Sequence, residues 1–149
     1  MDGDLRAARR ELNLAEAIRP GDGNVKRLRQ RLETALAKEE NQLVDAITAY
    51  YDGRYEQAQK ALEEFLERGH SAHMAALARF YAAAALGSRF FLSGGKDQST
   101  RNAALNMFRQ TVKDDPDFSP RWDSVSSRIK ELYSEANKKP QLQPATSTR

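Results

Sequence analysis

At 149 residues, 40% of them hydrophobic and 30% charged, the chain carries enough apolar material for one folded domain. It has no cysteine, which excludes disulfides and thiolate chemistry; no apolar run approaches the roughly 18 residues of a membrane span, and Met1-Asp2-Gly3-Asp4 lacks the basic-then-apolar start of a signal peptide. Twenty-four basic against 21 acidic residues leave a net charge of +3, a smaller excess than a dedicated nucleic-acid binder carries.

The charge is unevenly spread. Residues 36–75 hold four basic and eight acidic side chains, whereas the stretch from Arg121 holds six basic and three acidic. A cysteine-free chain suits cytoplasm and periplasm alike, so the compartment stays open, with the cytoplasm slightly favoured where no export signal is visible.

Leu5, Ala8, Leu12, Ala15 and Ile18 form the first helical stripe, ended by Pro20-Gly21. Asp22 or Asn24 is placed to cap the next helix. Its stripe is Val25, Leu28, Leu32, Ala35 and Leu36; it weakens over Lys38–Gln42 and resumes at Leu43, Ala46, Ile47 and Tyr50. With no Gly or Pro from Val25 to Tyr51, the spacing predicts one helix about 40 Å long, or alternatively a kink near Lys38–Gln42.

Asp52-Gly53 is a stop and turn, since Gly takes the left-handed conformation at little steric cost. Tyr55, Ala58, Leu62, Phe65 and Leu66 follow as a third helix up to Gly69. Ser71 caps a fourth, whose Ala75, Ala78, Ala82 and Ala85 make a small-residue face beside Leu77, Phe80, Tyr81 and Leu86. Such a helix is expected to be buried and closely approached, and to run to Phe91 or Leu92.

After the Ser93-Gly94-Gly95-Lys96 loop, Asp97 or Ser99 caps a helix with Ala104, Leu105, Phe108 and Val112 inside, stopped by Asp114-Asp115-Pro116. Ser119-Pro120 predicts the start of a last helix with Trp122, Val125, Ile129, Leu132, Tyr133 and Ala136 on one stripe. Lys138-Lys139-Pro140 ends it, and 141–149, with little to bury, is expected to be disordered.

Gly53-Arg54-Tyr55-Glu56-Gln57-Ala58, with Leu62 four residues after the Ala, resembles a tetratricopeptide repeat. Gly3, Leu5, Ala8, Leu12, Ala15 and Pro20 fall on the same family's Gly, aromatic, Ala, aromatic, Ala and Pro positions, and Ala104, Phe108 and Pro116 match a third time. The resemblance covers Gly3–Pro116. It implies an all-α array of antiparallel hairpins over 1–139, about six helices, with an elongated second helix and a C-terminal capping helix, followed by a disordered tail at 140–149.

Because the opening helix matches the second helix of a repeat, the chain is expected to be a fragment of a longer, bacterial protein. The function implied is a non-catalytic, scaffold-like module for protein–protein interaction, binding a peptide or helix of a partner in a concave groove. By the repeat alignment the groove-facing residues are Glu40, Leu43, Ile47, Tyr50 and Tyr51, with Arg79 on the following first helix; Tyr50 stays open between groove and core.

Other sites carry less. His70 and His73 share no nearby Cys or carboxylate in sequence, so surface histidines rather than a metal site are expected. Gly94-Gly95-Lys96 lacks the phosphate-loop spacing, and no nucleophile elbow or cofactor motif is visible. Lys26, Arg27, Arg29 and Arg31 offer a route to nucleic acid or an anionic surface, but no aromatic is interleaved for stacking, and a solvated face is the simpler expectation. A structural spacer or self-association array is the remaining alternative.

Overall fold

The computed structural model describes residues 5–138; Gly3 of the repeat pattern and the tail expected to be disordered at 140–149 lie outside them. The described chain is all-helical: α1 (Leu5–Ile18), α2 (Gly23–Tyr51), α3 (Tyr55–Leu66), α4 (Ala72–Leu92), α5 (Gln98–Asp114) and α6 (Ser127–Ala136), with a 3-10 turn at Trp122–Ser124. Among the described residues no helix is long and apolar enough to cross a membrane.

Local chemistry sets most of the boundaries. The Asp22 carboxylate accepts from the N–H groups of Asn24 and Val25, the Ser71 hydroxyl from Met74, and the Asp97 carboxylate from Ser99 and Thr100. Gly53, at φ +78°, turns the chain from α2 into α3. The N–H groups of Gly53 and Arg54 return to the carbonyls of Tyr50 and Ala49 and so satisfy the end of α2.

α2 is unbroken over 29 residues, about 43 Å, and continues through Lys38–Gln42. Val25, Leu32, Leu36, Leu43, Ala46 and Tyr50 follow one side of it. α1 lies against the N-terminal half and α3 and α4 against the C-terminal half. Polar contacts hold α1 in place: Arg29 pairs with Glu16 and bonds Asn13 at 3.0 Å, and Arg9 pairs with Glu33 at 3.5 Å.

The apolar stripe expected of α1 does not become core. None of the described side chains of α1 is buried, and Leu14 and Ile18 are 65% and 77% exposed, because a single neighbouring helix covers only one narrow side.

The core is centred on α4, which packs against α3, α5 and α6. Ala82 to Leu86 and Gly87 are all buried in succession. Phe80, fully buried, meets the rings of Phe108, Phe118, Trp122 and Tyr133 at centroid distances of 5.5 to 6.1 Å.

The last helix differs from expectation. Ser119-Pro120 does not start it; Val125 is extended, and Ser126 caps α6 by accepting from Ile129. Two serines compete as caps, and packing selects the later one. The extended Val125 allows its own side chain to be buried while Trp122 reaches Phe80 and Tyr133.

α6 crosses α4 at Gly87. A Cβ there would sit 2.9 Å from both Ile129 Cδ1 and Leu132 Cδ1. Gly87→Ala gains up to about 1 kcal/mol of helix propensity and displaces only two flexible side-chain ends, so stability should change by less than about 1 kcal/mol. Gly87→Leu should cost about 1–3 kcal/mol by overpacking the crossing. Urea unfolding of the two variants checks both.

Candidate functional site

The C-terminal end of α2 places three tyrosines together, Tyr50 and Tyr51 on α2 and Tyr55 on α3, against Tyr81 of α4. Ring centroids lie 5.2 Å apart for Tyr50–Tyr51, 5.5 Å for Tyr50–Tyr55, 5.4 Å for Tyr50–Tyr81 and 5.8 Å for Tyr51–Tyr81. Three of the four contacts are edge-to-face, the arrangement aromatic quadrupoles favour.

The Tyr51 hydroxyl lies 2.8 Å from that of Tyr81 and 2.9 Å from Ser124 Oγ. Ser124 Oγ donates its own proton to the Arg121 carbonyl at 2.8 Å. It must therefore accept from Tyr51, whose oxygen is left to accept from Tyr81. One relay of hydroxyls thus joins α2, α4 and the 3-10 turn. Yet Tyr51 remains 47% exposed.

The six residues expected to face the groove separate into three places. Glu40, Ile47 and Tyr51 lie on one side of α2, exposed or half-buried. Leu43 and Tyr50 belong to the hydrophobic core, 5% and 7% exposed. Arg79 is apart from them: its Nε stands 2.9 Å from Asp114 Oδ2, clamping α4 to the end of α5. That pair is close but poorly aligned, since neither atom completes a hydrogen bond.

Val44, which the repeat alignment does not name, shares the Tyr51 side of α2. Glu40, Val44, Ile47 and Tyr51 recur at steps of four, three and four, and Val44 is 59% exposed. The helical spacing of α2 alone would have found it. At its Glu40 end the stripe borders a cleft of about 380 Å³ between α1, α2 and α4, lined by Arg10, Leu36, Glu39 and Met74 among others.

His70 is not a surface histidine. Its side chain is 1% exposed, the ring stacks on Phe65 at 3.7 Å and 1°, and Nε2–H donates to the Phe65 carbonyl. His73 is exposed and pairs with Asp115 at 3.0 Å. Among the described residues no group of three or more metal-ligating side chains forms. Arg29 of the basic run turns to α1, while Lys26, Arg27 and Arg31 face solvent.

Burial raises the pKa of Tyr50 and Tyr133; burial and then the hydrogen bond to Tyr51 raise that of Tyr81. Their neutral forms therefore favour the fold. This stability is fully present below the unfolded phenol pKa of about 10 and is lost as pH rises above it. Absorbance titration at alkaline pH should show a late-ionising fraction that shrinks in Tyr81→Phe. Unfolding midpoints should decline in the alkaline range as these phenols ionise; a flat alkaline profile would contradict the assignment. No protein-family model, curated protein or solved structure matches the chain, so the reading of this surface rests on its own geometry.

Proposed function

We propose that the chain is a non-catalytic protein-interaction module, and that Glu40, Val44, Ile47 and Tyr51 of α2 receive a peptide or helix from a partner protein. One observation carries the reading: Tyr51 is half exposed while its ring and hydroxyl are both held in place. An aromatic anchor already fixed in the free protein loses little entropy on binding, and such residues dominate interface energetics.

The tetratricopeptide-like spacing around Gly53, Tyr55 and Ala58 supports the same class of function. The partner segment that suits this stripe is amphipathic, with apolar side chains at three- and four-residue steps and a cation toward Glu40. Leu43 and Tyr50 act from beneath, as the packed support of the stripe.

The test is an affinity capture from the native source, read by mass spectrometry, with Tyr51→Ala/Val44→Ser beside the original. Loss of an aromatic anchor weakens binding by about 2 kcal/mol or more, roughly 30-fold, so a specific partner should vanish while helicity by circular dichroism is kept. An identical set of captured proteins on a folded variant would remove the assignment.

A further inference from the structure

A different stripe of α2 points away from α1 and from the Tyr51 side. Arg31, Ala35, Lys38, Gln42 and Asp45 recur at alternating steps of four and three, with Leu28 one step ahead and Ala49, buried beside α3, one step beyond. This is the spacing of a seam between paired helices. Its charge changes sign along the way. Arg27, Arg31 and Lys38 are basic, and Asp45, with Glu64 of α3 beside it, is acidic.

The charges on this face lack partners within the molecule. Arg27, Arg31, Asp45 and Glu64 are all exposed, and among the described residues none enters an ion pair. Beside the acidic half, α2 and α3 enclose a groove of about 230 Å³. Ala46, Ala49 and Ala61 line it, and Asp45 and Glu64 stand at its edge; Arg68 is tied back to Gln42 at 2.9 Å. On the basic half Leu28 stands 51% exposed.

We propose that this face pairs two copies of the chain. The two α2 helices cross antiparallel about a two-fold axis. Leu28 of each copy enters the alanine-lined groove of the other, and Arg27 and Arg31 of each face Asp45 and Glu64 of the other.

Charge complementarity selects the occupant. An antiparallel two-fold contact sets each basic half on the opposite acidic half, and symmetry satisfies both contacts at once. A parallel pairing would set like on like. An acidic partner helix would use only the basic half and leave the alanine groove unfilled.

Sedimentation equilibrium of the full chain tests this. A dimer is expected whose dissociation constant rises at least about tenfold between low and high salt, since its contacts are exposed ion pairs. Arg27→Glu/Arg31→Glu should be monomeric, and so should Asp45→Arg/Glu64→Arg. An equimolar mixture of the two should dimerise again, because both contacts are then restored. All four positions are exposed, so circular dichroism should show unchanged helicity. A chain that stays monomeric throughout, a dimer insensitive to either reversal, or a mixture that stays monomeric overturns the proposal. None of these outcomes touches the Tyr51 side.

Discussion

Close approach to α4 is the constraint on which the rest of the molecule depends. From Ala82 to Gly87 only Leu86 is larger than alanine, and all six residues are buried. Small side chains allow three helices to lie against one axis, because backbone separation scales with what stands between the helices. An interior glycine normally weakens a helix, so Gly87 needs a packing reason, and the Ile129 and Leu132 methyls supply it. Phe80, two residues before the alanine run, then fills the space between α5, the 3-10 turn and α6.

The tyrosine cluster is the polar counterpart of that core. Its four rings bury apolar faces while the hydroxyl relay from Tyr81 through Tyr51 to Ser124 finds partners for groups that would otherwise be costly to bury. Because Ser124 lies in the connection between α5 and α6, the C-terminal segment also fixes a side chain at the end of α2. The proposed binding surface is therefore held in place by residues distant in sequence from it.

Features governed by neighbouring residues were legible in the sequence. Asp22, Ser71 and Asp97 are caps because their own side chains reach the next amides, and Gly53 turns the chain because of its own backbone freedom. Features decided by packing were not. Ser119-Pro120 reads as the start of the last helix until Trp122 and Val125 are known to be needed in the core, with Ser126 as the cap. Leu43, expected on the exposed side, is buried, and Val44, one residue or about 100° further round the helix, is exposed. The repeat alignment assigned positions by analogy, whereas the spacing of Leu43, Ala46 and Tyr50 already marks the buried side. His70 gave no local signal, because the groups that define its surroundings, Phe65 and Glu39, belong to α3 and α2.

The unequal covering of α2 has a consequence for cooperativity. Its C-terminal half shares the central core, but nothing N-terminal of Leu43 does, and Leu32 is the one buried residue in that half. A helix normally melts as a unit only when its whole length is held by comparable contacts. Amide protons from Leu43 onward should therefore exchange only through opening of the whole domain, and those of α1 and the first turns of α2 through a much smaller local opening. On this basis α2, one continuous helix, is expected to be divided between two foldons, with the division near Glu39 and Glu40, where the apolar stripe is interrupted.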